Sequence, residues 1–281
     1  MIVDAHQHYW QLSRFDYAWI APDNAVLHRD YAPADLWPAM RAAGVQAGIV
    51  VQAHNSVDEA RWMLELTDHN PHLAGVVGWV DLVAPDAPAT LFDLARHPRF
   101  KGVRIQPAQD LRAIRRGLDA LADLGLSCDL LTGPDHIETA VGLAQSHPRN
   151  VFVLDHFAGF RLAPGTHEVW RRQVQPLADC PNVVLKVSGY LTAARPRPLQ
   201  VETLRAWVEA AMDAFGAGRL MYGSDWPVCL QAGRYADGVD LLRAATAHLG
   251  PAAQASIWAG TATRVYRLES SVIRQQTTDD R

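Results

Sequence analysis

The sequence predicts a single-domain (β/α)8 barrel, and three observations predict this fold. Eight short apolar segments recur along the chain, and segments with helical periodicity separate them. Continuous apolar strands that alternate with amphipathic helices are typical of a parallel sheet covered by helices. The length of 281 residues suits one barrel of eight such units. A doubly wound open sheet is the main alternative, but the chain has neither a dinucleotide-binding glycine fingerprint nor a phosphate-binding loop.

The strands are predicted where apolar, β-branched runs are bounded by turn residues. The eight predicted strands are residues 2–8, 47–53, 74–80, 101–106, 126–131, 151–156, 183–189 and 220–225. Pro107 and Pro227 stop the fourth and eighth strands, because proline cannot donate to a strand ladder. The first strand is followed by a long loop rich in aromatic residues, which extends to Tyr31. Such a long connection is uncommon and often functional.

The helices are predicted from apolar periodicity and from their end signals. The predicted helices are residues 33–43, 58–69, 89–95, 111–124, 137–146, 167–178, 201–215, 237–248 and 252–259. Pro33 stands in the first turn of the first helix and Gly44 follows its end, which is the usual placement of these residues. We expect residues 1–268 to form the barrel and residues 269–281 to form a polar tail.

Composition excludes several classes of function. The net charge of -4 and the absence of a basic run predict no nucleic-acid partner and no anionic membrane partner. No apolar stretch is long enough to span a bilayer and no secretory signal is visible, so we expect a cytoplasmic protein. The three cysteines are far apart in sequence, which argues against a zinc knuckle or a disulfide framework.

Polar residues stand at the ends of most predicted strands, where a core would need none. Active sites of (β/α)8 barrels lie at the carboxyl ends of the strands. The polar and aromatic residues at these ends are His6, His8, Gln52, His54, Trp79, Asp81, Arg104, Gln106, Asp129, Asp155, His156, Lys186, Ser188, Ser224, Asp225 and Trp226. Alternation along a strand places Asp155 on the face opposite to His156, so we interpret Asp155 as structural.

The histidine pair near the N-terminus is the most distinctive feature of this set. His6 and His8 are separated by one residue, so their side chains project to the same face of a strand. Two adjacent imidazoles at a strand end can share a metal ion or donate jointly to one anionic oxygen.

Five motifs resemble the amidohydrolase superfamily, and more closely its sugar-lactonase branch of L-fuconolactonase-like and L-rhamnonolactonase-like hydrolases. The motifs are Val-Asp-Ala-His-Gln-His, Lys-Gly-Val-Arg-Ile-Gln-Pro, Val-Leu-Asp-His-Phe, Leu-Lys-Val-Ser-Gly and Met-Tyr-Gly-Ser-Asp-Trp-Pro-Val. The resemblance runs from Ile2 to Leu268 and implies a distorted barrel that hydrolyses a cyclic ester.

The resemblance also implies roles for particular residues. Asp225 is expected to act as general base on the attacking water, while His6, His8, His156 and Arg104 stabilise the developing oxyanion. The residues expected to bind the lactone are Trp10, His28, Arg29, Gln52, Trp79, Gln106, Asp129 and Trp226. Trp19, in the long aromatic loop, is a further candidate for stacking on a sugar face.

The sequence leaves open whether the reaction uses a metal ion. Either one divalent ion is bound, for which zinc is the expected metal, or the reaction is metal-independent. A single ion would be held by His6, His8, His156 and Asp225. A two-metal site is not expected, because the fourth strand offers Arg104 instead of the bridging residue of the superfamily and the fifth offers Asp129 instead of a histidine.

Three alternatives to sugar-lactone hydrolysis follow from the same residues. One is hydrolysis of a dicarboxylate or muconolactone-type lactone, for which Arg161, Arg195 or Arg197 could supply the extra positive charge. The second is decarboxylation by a member of the same superfamily. The third is a non-catalytic binding barrel, against which the complete set of three histidines and Asp225 argues. The expected partner is a small-molecule lactone, and the sequence leaves the oligomeric state open.

Overall fold

The computed structural model describes residues 1–107 and 113–269, and within them eight strands form one sheet. The strands are β1 (Val3–Gln7), β2 (Ala47–Val51), β3 (Leu73–Gly78), β4 (Phe100–Ile105), β5 (Ser127–Leu130), β6 (Val151–Leu154), β7 (Val183–Val187) and β8 (Leu220–Tyr222). They lie in sequence order, and each pairs with the next in parallel. Parallel neighbours require crossover connections, and helices supply them here.

Backbone hydrogen bonds join the two ends of the sheet at the carboxyl ends of β1 and β8. The His8 amide donates to the Trp226 carbonyl at 2.7 Å, and the Asp225 amide donates to the His6 carbonyl at 2.9 Å. These bonds draw the segment after β8 against the histidine pair. The predicted (β/α)8 barrel is confirmed.

The predicted helices are found close to their expected positions, and two further short helices, Tyr190–Ala193 and Thr261–Val265, were not predicted. They are α1 (Pro33–Ala42), α2 (Val57–His69), α3 (Ala87–Ala95), α4 (Arg115–Leu124), α5 (Ile137–Ser146), α6 (His167–Ala178), α7 (Tyr190–Ala193), α8 (Val201–Phe215), α9 (Tyr235–Thr246), α10 (Pro251–Ala255) and α11 (Thr261–Val265). The helix predicted for residues 252–259 is divided between α10 and the π-helical turn Ser256–Gly260. Residues 111 and 112 of the predicted fourth helix, and residues 270–281 of the predicted tail, lie outside the described residues.

The C-terminal segment closes the amino-terminal end of the barrel. Val265 and Tyr266 belong to the same buried apolar cluster as Val3, Ile49 and Met221 of the strands. At the start of β4, the Lys101 ammonium donates to the Arg267 carbonyl at 3.3 Å. The opposite end, where the strands terminate, therefore carries the opening. Among the described helices, none has the length and apolar character needed to span a membrane.

Candidate active site

The two histidines of β1 meet at the carboxyl end of the barrel. The Nε2 atoms of His6 and His8 lie 3.0 Å apart, and both side chains are buried. The register of β1 against β2 shifts between Asp4 and Gln7. Asp4 and Gln7 contact helix residues: the Tyr235 hydroxyl donates to Asp4 at 3.1 Å, and Gln7 contacts Met40. The shift therefore lets both histidines reach the interior although Asp4 faces the helices.

Asp225, from the segment after β8, lies among three imidazoles. Its Oδ1 atom is 3.4 Å from Nε2 of His8, 3.8 Å from Nε2 of His6 and 3.8 Å from Nε2 of His156. Asp225 has a φ of 60°, in the left-handed region that residues other than glycine seldom adopt. The strained backbone turns its carboxylate toward the histidines, as strain at functional sites commonly does.

His156 reaches the same point through a left-handed turn after β6. His156, Phe157 and Ala158 all have φ between 52° and 58°, and Gly159 has a φ of 75°. Ser188 holds the histidine from β7, because its Oγ lies 2.8 Å from Nδ1 of His156 and accepts from the His156 amide at 3.3 Å. Strand alternation stops at Leu154, so the expectation that Asp155 and His156 face opposite sides was wrong.

Asp155 lies inside the barrel, beneath His6. Its Oδ1 is 3.4 Å from Nδ1 of His6 and 3.1 Å from the Lys186 ammonium, and its Oδ2 is 3.5 Å from the Arg104 guanidinium. Arg104 also donates to the Gln52 backbone carbonyl at 2.6 Å. The Asp155 carboxylate therefore partly neutralises the positive charge of Arg104.

Protonation states follow from burial and from these neighbours. Burial lowers the pKa of His6 well below its usual value and also lowers the pKa of His8, so both imidazoles are neutral near pH 7. Burial alone would raise the pKa of Asp225, but the surrounding imidazoles, His156 first, outweigh it and lower that pKa to about 2. Asp225 is therefore an ionised carboxylate throughout the neutral range.

A cavity of about 680 Å³ opens above this cluster. Seven residues predicted to catalyse the reaction or to contact the lactone line it: His8, Trp19, Gln52, Arg104, Gln106, His156 and Asp225. The long loop after β1 contributes Asp16, Ala18 and Trp19, and the indole of Trp19 donates to the Ala53 carbonyl at 2.8 Å. A cavity of this size accommodates a small ligand.

The other predicted lactone contacts lie elsewhere among the described residues. Trp10 and Trp226 are buried and make edge contacts with the ring of Tyr31. His28 lines a separate cavity within the long loop, Arg29 stacks on Tyr31, Trp79 is half-buried, and Asp129 is fully buried beneath the rim. None of these residues lines the cavity above Asp225.

Several cavity residues escaped the sequence reasoning. Asp16 belongs to no motif, Leu131 ends a predicted strand and Val228 ends one of the five motifs, but local sequence does not predict which way these side chains point. The roles of Ser188 and Lys186 were also missed, although both stand at the end of a predicted strand. That position was the signal that could have identified them.

The donor set at the rim fits one divalent ion. The Nε2 atoms of His6 and His8 and the Oδ1 atom of Asp225 are separated by 3.0–3.8 Å. A tetrahedral ion with bonds of about 2.0–2.2 Å holds its donors about 3.4 Å apart. Nδ1 of His8 donates to the Val51 carbonyl at 2.8 Å, which leaves its Nε2 unprotonated and able to bind a metal.

Comparisons with known proteins agree on one family. Residues 3–268 match the sequence profile of the family described as Amidohydrolase. The L-fucono-1,5-lactonase of Burkholderia ambifaria is 38% identical over 281 residues, covering 95% of this chain and 96% of the relative. The L-fucono-1,5-lactonase of Burkholderia multivorans is 37% identical, with 95% and 96% coverage. A crystal structure of an amidohydrolase from Burkholderia multivorans with bound zinc superposes with a TM-score of 0.88 at 35% identity, covering 96% of this chain and 100% of that one.

Proposed function

The chain belongs to the amidohydrolase family and is an enzyme of the lactonase type. We propose that it hydrolyses an uncharged sugar lactone (an aldonolactone) to the free aldonic acid. One observation carries the proposal. An ionised carboxylate, Asp225, is surrounded by three imidazole nitrogens at the floor of the cavity. Such a site holds a base next to hydrogen-bond donors, which ester hydrolysis requires.

The reaction begins with Asp225 accepting a proton from water as the water oxygen attacks the lactone carbonyl. Because its pKa is about 2, Asp225 is a weak base, so proton transfer must accompany the attack instead of preceding it. The Arg104 guanidinium and the imidazole N–H groups of His6 and His156 stabilise the oxyanion of the tetrahedral intermediate. The intermediate collapses with cleavage of the ring C–O bond, and the protonated Asp225 returns its proton to the departing alkoxide.

We further propose one divalent ion, zinc, held by His6, His8 and Asp225 with His156 beside them. Such an ion, when bound, polarises the ester carbonyl and acidifies water. The zinc in the structure of the Burkholderia multivorans amidohydrolase supports this assignment.

The charges around the cavity favour a neutral substrate over a dicarboxylate lactone. Arg104 is the arginine among the described lining residues, and Asp155 already pairs with it. Asp16 adds a negative charge at the mouth. Arg195 and Arg197 line a different groove, and Arg161 donates to the Arg195 carbonyl there. The three arginines that could have supplied positive charge for a dicarboxylate lactone therefore do not line the cavity.

A panel of neutral aldonolactones and anionic dicarboxylate lactones tests the substrate class. We expect kcat/KM to be at least about tenfold higher for the best neutral lactone, a difference of about 1.4 kcal/mol, because an anionic group must approach Asp16. Asp16→Asn should reduce the ratio of kcat/KM for neutral lactones to kcat/KM for anionic lactones, because the anionic substrates should be turned over faster. The exposed helix residue Asp213 provides the control, since Asp213→Asn should leave the ratio unchanged. Faster hydrolysis of the dicarboxylate lactones by the unmodified enzyme would contradict the proposal.

Zinc titration of the chelated protein tests the metal site. We expect one equivalent to bind per chain and to stabilise the fold by about 2.7 kcal/mol when free zinc is 100 times Kd. His8→Ala should abolish this binding, whereas His97→Ala, at a partly exposed histidine that pairs with Asp68, should not. Calorimetry and thermal unfolding measure both effects. Equal binding by His8→Ala and the unmodified protein would place the ion elsewhere.

A further inference from the structure

The segment that joins β2 to α2 forms one wall of the cavity. Its four consecutive residues Gln52–Asn55 all line the space above Asp225. The long loop after β1 is fastened to this wall, because the Trp19 indole donates to the Ala53 carbonyl at 2.8 Å. The wall therefore has a fixed backbone from which side chains can reach a ligand in the cavity.

Two polar side chains of this wall are free to bind a ligand. The Gln52 amide is occupied within the protein, since its nitrogen donates to Asn55 Oδ1 at 3.3 Å and its oxygen accepts from the Arg104 guanidinium at 3.4 Å. The Asn55 side-chain nitrogen and both ring nitrogens of His54 have no hydrogen-bond partner among the residues that the structure describes. A hydroxyl group can donate to or accept from an imidazole nitrogen, so His54 suits a polyhydroxylated ligand.

Aromatic neighbours hold the imidazole ring of His54. The ring stacks on Phe15 with 6.0 Å between centroids and an interplanar angle of 27°, and it makes an edge contact with Tyr17 at 6.0 Å. Phe15 packs in turn on Trp62 of α2, with 5.8 Å between ring centroids. These contacts restrict the orientation of the His54 ring without using its nitrogens.

Glu59 of α2 holds the backbone of the same wall. Glu59 is fully buried, and its Oε2 accepts from the Ala53 amide at 3.1 Å and from the His54 amide at 2.9 Å. Ser56 caps α2, and Glu59 follows it at the spacing of a capping box, in which the glutamate would accept from the Ser56 amide. That amide donates to the His54 carbonyl here, and Glu59 reaches back to the cavity wall.

We propose that His54 is a specificity-determining residue that binds a hydroxyl group of the sugar lactone through a ring nitrogen, and that Glu59 is the positioning residue that holds it. This inference rests on the proposed function, because it names the group that recognises the substrate of the same site. A site built to bond a hydroxyl discriminates against the analogue that lacks it, since the polar group of the protein then loses its partner. Discrimination between a lactone and its deoxy analogue is therefore the property that His54 should control.

A set of monodeoxy analogues of the best neutral lactone, one for each hydroxyl, tests the role of His54. For one analogue, the unmodified enzyme should lose about tenfold in kcat/KM, the effect of one net hydrogen bond. His54→Phe keeps an aromatic ring against Phe15 but has no ring nitrogen, so this analogue and the parent lactone should differ by less than about twofold. His248→Phe, at an exposed histidine that pairs with Glu209, is the control and should keep the discrimination. Equal losses in the unmodified enzyme and His54→Phe for every analogue would overturn the assignment.

Hydrogen exchange of the substrate-free protein tests the role of Glu59. Glu59→Ala removes the acceptor, so the Ala53 and His54 amides should exchange about tenfold faster, and KM for the parent lactone should rise while kcat changes little. Glu59→Gln should restore both, because one carbonyl oxygen suffices for the two amides. Burial already raises the pKa of Glu59 to about 7, so an uncharged side chain is compatible with this position.

Glu65→Ala is the matched control for Glu59→Ala. Glu65 lies on the same helix and pairs with Arg14 of the long loop at 3.6 Å, but both side chains are exposed, so exchange and KM should stay unchanged. Unchanged exchange in Glu59→Ala, or an equal fall of kcat in Glu59→Ala and Glu59→Gln, would overturn the positioning role. If no lactone is hydrolysed, the proposed function fails while the exchange result stands. If hydrolysis occurs without any dependence on His54, this inference alone fails.

Discussion

Replacing Asp225 by asparagine should lower kcat by about 10²–10⁴-fold, the usual contribution of a positioned general base. Asparagine keeps the shape of the side chain but cannot accept the proton from water. Because the imidazoles hold Asp225 ionised, the loss should be seen across the neutral pH range. Steady-state hydrolysis of the best neutral lactone measures the effect, and circular dichroism verifies the fold.

Asp213→Asn serves as the matched control, because Asp213 is an exposed aspartate of α8 outside the site. It should retain full turnover. An Asp225→Asn enzyme with near-normal kcat would transfer the base role to another group and remove the central assignment of the mechanism.

Gly189→Ala should reduce kcat by about 10²-fold, which is the cost of misplacing a catalytic group by about 1 Å. A Cβ atom at Gly189 would lie 2.8 Å from Cγ and Nδ1 of His156 and 3.0 Å from its Cβ. The histidine ring must therefore move away from Asp225. Gly189 also has a φ of 63°, so alanine adds backbone strain of about 1–2 kcal/mol.

Gly44→Ala separates these two effects. Gly44 has a similar φ of 70°, but a Cβ there meets no atom within 4 Å. Both variants should lose comparable thermal stability, and only Gly189→Ala should lose turnover. Equal kcat values for the two variants would show that Gly189 acts through stability alone, and that His156 does not need its present position.

Local sequence patterns were sufficient to predict the barrel and many of the residues at the carboxyl ends of its strands. Apolar runs and helix end signals predicted all eight strands and the order in which helices separate them. The position at a strand end then identified Gln52, Arg104, Gln106 and Asp225, which line the cavity. The aromatic residues were less predictable. Trp10 and Trp226 stand beside the histidine pair and Asp225 in sequence, but they pack on Tyr31 and support the loop.

The sequence by itself determined the fold and the residue types at the open end, because apolar periodicity is a local property that each strand and helix carries alone. Only the tertiary structure decided which of these residues meet. The register shift in β1 and the left-handed turn after β6 both break strand alternation, and packing against neighbouring strands sets them. Gly189 and Ser188 of the adjacent segment fix His156, while Lys186 reaches His6 across 180 positions of sequence. Such contacts depend on barrel closure, which no local pattern encodes.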